Sequence, residues 1–343
     1  GNQYDSTLSV LQSNINPKKK KIGFVSSIFS FTYLGLLILD IIRSLKNLFD
    51  FYVVSVGSKP LSQEFYSSAK GVFRVGYDDA NARSVLKSLE LDCLVYCESM
   101  NDPIVHFLGY QRFAEVQILV MGSPVTSGIP TFDYFVSGDM LEHPYRTQLA
   151  EDHFSEQVVL FDGQAISFPR TSVHLRQDNA LAAGDALLLS NMTALERMDG
   201  LRDSGAHIYL CFQSIQKMQP SFDHVLIDII VADPRAHIVL QASRHSIQTE
   251  TLQSRSKRVL NERLCGGETI ECSASIDLNA RIHFLPRVKS DELLSLMKKS
   301  TVILHPFPFG GSKTASDAIN AGVPLITYPQ PYLRGRMAAS FIR

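Results

Sequence analysis

An excess of charge of either sign is missing from this sequence: Lys and Arg number 33 against 34 Asp and Glu, leaving a formal net charge of -1. Such a balance gives no electrostatic reason to expect a nucleic-acid partner. Long apolar runs are missing too. The richest window, residues 29 to 42, is broken by Ser30, Thr32 and Asp40, and residues 1 to 17 lack the apolar stretch of a signal peptide, so no membrane partner is expected. Cysteine is scarce: Cys93, Cys97, Cys211, Cys265 and Cys272 make an odd set. Three of them sit in apolar runs that read as strands, which points to buried free thiols in a reducing compartment and hence to a cytoplasmic protein. Cys93 and Cys97 are followed by no Cys or His partners at zinc spacing, so a structural metal site is not expected. The basic run Lys18 to Lys21 reads either as a nuclear signal or as a solvated flank. Asn191-Met-Thr193 fits a glycosylation sequon, a triplet that also arises by chance.

What is present is a repeated alternation of short apolar runs with amphipathic ones. A chain of 343 residues with 45% hydrophobic and 20% charged residues suits two globular cores better than one. After a flank, residues 1–20, the expected strands are Ile22 to Ser26, Phe51 to Val56, Cys93 to Cys97, Gln117 to Met121, Tyr134 to Val136 and Val158 to Phe161. Helices are expected at Leu34 to Leu45 and Ala82 to Leu89. Around Gln164 to Gly184 the alternation stops, and a hinge is placed there. It resumes with strands at His207 to Phe212, His237 to Gln241, Ile282 to Leu285, Thr301 to Leu304 and Pro324 to Thr327. Helical stretches fall at Ser221 to Val231, Gln248 to Leu264, Asp291 to Lys298, Thr314 to Ala321 and from about Arg336. The fold class is α/β: two doubly wound, Rossmann-like domains, residues 21–165 and 201–343, joined by an irregular connection at 166–200 and facing each other across a cleft. The chain stops while its last helix is in progress, which suggests a truncated second domain.

The stretch richest in chemistry is His305-Pro-Phe-Pro-Phe-Gly-Gly-Ser-Lys-Thr-Ala-Ser-Asp317, between an expected strand and an expected helix. Gly310 and Gly311 permit a tight turn and close approach to a ligand. Ser312, Lys313 and Thr314 begin a helix whose unpaired amides and dipole suit a diphosphate, and Asp317, one turn in, suits ribose hydroxyls. A plain turn with a capping hydroxyl would read the same way.

A resemblance narrows this. The run Arg281-Ile-His-Phe-Leu-Pro-Arg through the Pro-Phe-Pro-Phe-Gly-Gly loop, continuing to Ala321-Gly-Val-Pro-Leu-Ile-Thr-Tyr-Pro and Leu333-Arg-Gly-Arg-Met-Ala-Ala-Ser, resembles the C-terminal domain of the O-linked N-acetylglucosamine transferase family, bacterial-type members above all. Val116-Gln117, Gly122-Ser-Pro-Val-Thr-Ser-Gly128, Ile129-Pro-Thr-Phe-Asp133 and His153-Phe-Ser-Glu156 resemble its first domain, and the matches keep their order from about Gly23 to Ser340. The resemblance implies a GT-B fold, UDP-GlcNAc as donor and Ser or Thr of a protein as acceptor. It implies that Lys217, in Cys211-Phe-Gln-Ser-Ile-Gln-Lys217-Met-Gln-Pro220, contacts the donor diphosphate. Thr314 would bind the same group, Asp317 the ribose, and Val288 would lie near the uracil ring. Ser123, Thr126, Ser127 and Thr32 would face the sugar or the acceptor, while Thr126 and Ser127 also read as ordinary turn residues that cap backbone groups. Physically, a cation and helix-start amides stabilise the charge that develops on a leaving phosphate. No Asp-x-Asp element occurs, so neither a metal nor another cofactor is expected.

The sequence departs from the family pattern where the family carries histidines. Thr32-Tyr33-Leu34-Gly35 replaces His-Ser-Val-Gly, Ser123 stands for His or Tyr, and Ser312 for His. Neither Thr nor Ser titrates near neutrality. Glu98 and Asp102 remain as acid or base candidates. Asp102 reads as the cap of a helix begun by Pro103. Glu98 therefore takes the acid or base role, against a solvated loop carboxylate. His106 and His153 read as packing or surface residues. Two other readings stay open: a protein N-hexosyltransferase using a UDP-hexose, and a non-catalytic UDP-sugar-binding or interaction module.

Overall fold

The computed structural model describes residues 19–29, 33–98, 102–120, 124–142, 153–163, 193–266 and 276–342. It divides into two compact units, Gly1–Pro169 and Arg170–Arg343. The expected hinge at 164–184 lies outside the described residues, as do Lys18, Asn191 and Cys272.

The first unit carries seven strands: β1 (Lys21–Ser26), β2 (Asp50–Val56), β3 (Gly71–Gly76), β4 (Leu91–Tyr96), β5 (Ala114–Val120), β6 (Tyr134–Gly138) and β7 (Gln157–Phe161). They form one parallel sheet in the order β3-β2-β1-β4-β5-β6-β7. Its helices are α1 (Tyr33–Leu45), α2 (Gln63–Ser68), α3 (Asp79–Leu89) and α4 (Pro103–Leu108). A parallel sheet is covered on both faces, so its central strands are buried regardless of side-chain parity. Val25, Val53, Val54, Leu94 and Tyr96 are all inaccessible. The inner face of α1, Ile38, Leu39 and Ile42, packs with Phe24, Phe29, Phe51 and Phe65. Gly35 is required there, because a Cβ would lie 2.1 Å from the carbonyl oxygen of Phe29.

The second unit repeats the plan with β8 (His207–Cys211), β9 (Ala236–Gln241), β10 (Ile282–Leu285), β11 (Val302–Leu304) and β12 (Leu325–Ile326), in the parallel order β10-β9-β8-β11-β12. Its helices are α5 (Ala194–Asp203), α6 (Pro220–Ala232), α7 (Ser246–Cys265), α8 (Leu278–Arg281), α9 (Ser290–Lys299), α10 (Lys313–Asn320) and α11 (Met337–Ile342). Thr193, the threonine of the sequon, caps α5: its hydroxyl accepts from the Glu196 amide at 3.2 Å and its amide donates to Glu196 Oε2 at 2.6 Å. No described helix is long and apolar enough to cross a membrane.

Two expectations need correction. β3, α2, α5 and α8 are not among the expected elements: Gly71 and Gly76 bound a short run that pairs only with β2, and α5 begins within the stretch 166–200 expected to be irregular. Cys93, Cys97 and Cys211 are free, but Cys265 is disulfide-bonded; it sits at the end of a polar helix rather than in an apolar strand.

Both sheets share a topological property that locates a site. The first three strands of each run outward in one direction, and the next crosses to the other side of the first. Ligands of open α/β sheets bind outside the carboxyl ends of the strands where the order reverses. In the first unit that point lies between β1 and β4, and in the second between β8 and β11.

Candidate functional site

At the second reversal, two loops meet. The loop after β11 begins with His305, which is 6% exposed. Its Nε2 lies 2.8 Å from the Gly311 carbonyl, which can only accept, so the proton sits on Nε2 and Nδ1 accepts from the Thr327 hydroxyl at 3.0 Å. Burial pushes its pKa down to about 4; the Gly311 carbonyl opposes the shift and the nearby Lys217 charge adds to it. The ring lies so close to the chain that a Cβ on Gly310 would be 1.6 Å from its Cε1. A Cβ on Gly311 would be 2.2 Å from Thr314 Oγ1 and 2.4 Å from Gln213 Nε2. Both glycines are therefore demanded by close approach. The Phe307–Pro308 bond within this loop is cis.

The loop after β8 supplies the other half. Its 3-10 turn, Ile215–Lys217, brings the Lys217 ammonium to Gln213 Oε1 at 3.1 Å and to the Gly310 carbonyl at 3.2 Å. The Phe309 ring centroid is 4.8 Å from Nζ. The Gln213 amide nitrogen donates to Thr314 Oγ1, closing a chain of contacts from Lys217 through Gln213 to the first turn of α10. Burial holds the Lys217 pKa below the ordinary lysine value, slightly offset by the Cys211 thiol. An ammonium has three donors, and two are used inside the loop. Ser312, at the N-cap of α10, makes no side-chain cap bond, so the amides of that first turn are not satisfied by it.

The structure thus brings Lys217, Gly310, Gly311, Ser312 and Thr314 together. Lys313 pairs with Asp317 one turn on, both side chains largely buried, so Asp317 is held by its own helix. Val288, between β10 and α9, is half-buried against the cluster of Leu285, Leu296 and Met297. No local signal in the sequence marks Gln213, because its partner Thr314 is 101 residues away.

In the first unit, Thr32 and Ser123 lie outside the described residues. Glu98, expected as an acid or base against a solvated loop carboxylate, is not solvated: it is 0% exposed, and its oxygens accept from Ser26 Oγ at 2.5 Å, Ser27 N at 2.5 Å and Ser27 Oγ at 2.9 Å. Burial between two strand ends is what removes it from solvent. Asp102 caps α4 as expected, accepting from the amides of Ile104 at 2.9 Å and Val105 at 3.1 Å. Thr126 and Ser127 both turn to the carboxylate of Glu156. His106 packs its ring beside Phe107 and Tyr110, and His153 is half-buried.

No family model matches the chain, and no curated protein matches it. Among solved structures, it is similar to a mutant of the Thermobaculum terrenum O-GlcNAc transferase, at 21% identity and a TM-score of 0.71, over 96% of this chain and 57% of that one. It also aligns with the Anabaena protein HepE in complex with UDP-glucose, at 14% identity and a TM-score of 0.47, over 89% of this chain and 79% of that one. A putative UDP-N-acetylglucosamine 2-epimerase from Listeria monocytogenes aligns at 11% identity and 0.45, over 92% and 81%. These last two scores are too low to carry weight. The first likeness shows the fold: α/β, of the GT-B type, with two Rossmann-like units in one chain.

Proposed function

We propose that this chain is the core of a glycosyltransferase that takes a uridine-diphosphate sugar, moving N-acetylglucosamine to Ser or Thr of a protein. One observation carries the reading: Lys217, Gln213, Gly310 and Thr314 converge at the strand-order reversal of the second sheet. That is where a nucleotide sits in such sheets, and the group offers an ammonium beside helix-start amides.

Cleavage of a sugar-diphosphate bond builds charge on the departing phosphate oxygens. In this reading the third donor of Lys217 and the first-turn amides of α10 receive that charge, while Gln213 fixes both Lys217 and Thr314. Loss of one such donor lowers turnover by roughly 10²–10³-fold in comparable sites. Turnover in chelator belongs to the same proposal, on the ground that the sequence contains no Asp-x-Asp element.

The choice of N-acetylglucosamine and of a protein hydroxyl is supported by the ordered motif resemblance and by the name of the Thermobaculum terrenum protein, of which this chain spans 57%. The test is incubation of the chain with labelled UDP-GlcNAc or UDP-glucose and a lysate, followed by mapping of labelled residues. Label on Asn from UDP-glucose would replace the acceptor assignment. Calorimetric binding of UDP without turnover would replace the enzyme by a binding module, the outcome that Thr32, Ser123 and Ser312 favour. No binding of UDP would end the proposal.

A further inference from the structure

Two buried carboxylates of the first unit are held in the same way. On Glu98, Oε2 accepts from the Ser26 hydroxyl, while Oε1 accepts from both the amide and the hydroxyl of Ser27. On Glu156, which is 4% exposed, Oε2 accepts from the Thr126 hydroxyl at 2.8 Å, while Oε1 accepts from both the amide, at 2.8 Å, and the hydroxyl of Ser127. The match extends one step further. The first hydroxyl of each pair also accepts from the amide two residues on, Ile28 at 3.0 Å and Gly128 at 3.4 Å. Each carboxylate therefore pins two consecutive residues distant in sequence, Ser26 and Ser27 where β1 passes into its loop and Thr126 and Ser127 within the loop between β5 and β6.

The two groups differ in titration. Burial pushes Glu98 above the ordinary carboxylate range despite its hydrogen bonds to Ser26 and Ser27. At Glu156 burial acts the same way, but the bonds from Ser127 and Thr126 outweigh it and the group ends below that range. What they share is geometry. A carboxylate that already accepts three bonds and faces no solvent is a poor proton carrier for a substrate, and a good anchor. The Glu98 anchor sits between the ends of β1 and β4, where the strand order of the first sheet reverses.

We infer that Glu98 and Glu156 are positioning residues: Glu98 sets the loop leaving β1 and Glu156 the loop between β5 and β6, and neither exchanges a proton with a substrate. The inference rests on the glycosyltransferase reading for its effect on turnover, not for the anchoring itself. Glutamine separates the two roles. In Glu98→Gln the amide oxygen can keep both Ser27 bonds while its nitrogen donates to Ser26 Oγ. Glu156→Gln fits less well, because Thr126 Oγ1 already accepts from the Ser155 amide at 3.0 Å and the Gly128 amide at 3.4 Å. Alanine removes every bond at either site.

The experiment compares Glu98→Ala, Glu98→Gln, Glu156→Ala and Glu156→Gln in the full chain by amide hydrogen exchange, UDP titration and turnover of labelled donor. The alanine variants should lose protection at the Ser27 or Ser127 amide, keep UDP affinity within about twofold, and lose turnover on the order of 10²-fold from misplaced loops. Glu98→Gln should stay within about threefold of the unaltered chain, and Glu156→Gln should fall between its alanine variant and the unaltered chain, as geometry dictates. Unchanged exchange at Ser27 and Ser127 in the alanine variants overturns the inference. So does Glu98→Gln turnover as low as that of Glu98→Ala, the result expected of a proton carrier. If the unaltered chain binds UDP but transfers nothing, the enzyme reading fails alone, and hydrogen exchange still decides whether the anchors hold their loops.

Discussion

Replacement of Gly310 by Ala tests the tightest contact of the proposed diphosphate loop. The added methyl would lie 1.6 Å from His305 Cε1 and 2.1 Å from its Nε2, and the imidazole cannot swing away without losing Gly311 and Thr327. Overpacking of this kind costs about 1–3 kcal/mol. Losing the Nε2 bond to Gly311 adds about 0.5–1.5 kcal/mol. The single variant should therefore be destabilised by roughly 1.5–4.5 kcal/mol. His305→Ala should also be destabilising, because it leaves the Gly311 carbonyl unpaired and opens a cavity. In the double variant the methyl occupies space vacated by the ring, so the two losses should not add; a coupling of about 2 kcal/mol is expected. Urea denaturation followed by circular dichroism gives the four stabilities of the cycle. UDP titration reports the same contact from the other side, because the Gly310 carbonyl is a partner of Lys217. Additivity within about 0.5 kcal/mol would show that the ring does not confine Gly310, and the close-approach account of this loop would be wrong.

Three further outcomes follow from the same group of residues. Lys217→Ala should weaken UDP binding and lower turnover by roughly 10²–10³-fold, measured by calorimetry and labelled donor, and Lys217→Arg should not restore it because a planar fork does not reproduce the three-donor geometry of an ammonium. Because burial lowers the Lys217 pKa, UDP affinity measured against pH should fall on the alkaline side at a lower pH than an ordinary lysine at 10.5 would give; a fall only there refutes the assignment. His305 is neutral in the fold with a pKa of about 4 against an ordinary 6.5, so the unfolded chain binds more protons between those values. Its contribution is fully present above 6.5 and is lost as pH falls to about 4, a difference of about 3 kcal/mol. Denaturation at a series of pH values should show that slope in the unaltered chain and a shallower one in His305→Asn.

Much of the fold was legible because parallel strands announce themselves as apolar runs whatever face they present. Ile282 to Leu285 coincides with β10, and most other strands were placed within a few residues. β3 escaped because Gly71-Val-Phe-Arg-Val-Gly76 carries Arg74 in its middle and glycine at both ends. The tight packing of the glycine loop could be read because a glycine pair between strand and helix permits close approach, which Gly310 and Gly311 make to His305, Gln213 and Thr314. Lys217 could be singled out only through the family resemblance, since a lysine in a turn looks like any surface lysine. Gln213, His305 and Glu156 act through partners brought near by folding, and no spacing along the chain encodes those meetings. Glu98 was noticed by position, but the Ser26 and Ser27 hydroxyls that occupy it lie more than seventy residues earlier.

The Lys217 ammonium rests against two neutral oxygens, one from a side-chain amide and one from a peptide. Neutral acceptors hold a cation more weakly than an anionic oxygen does, yet they fix its direction. A phosphate arriving here would meet the remaining donor of an ammonium already aimed by those oxygens and would not have to recruit a wandering side chain. Little ordering entropy would then remain to be lost on association, so tight binding would show in slow release more than in rapid capture.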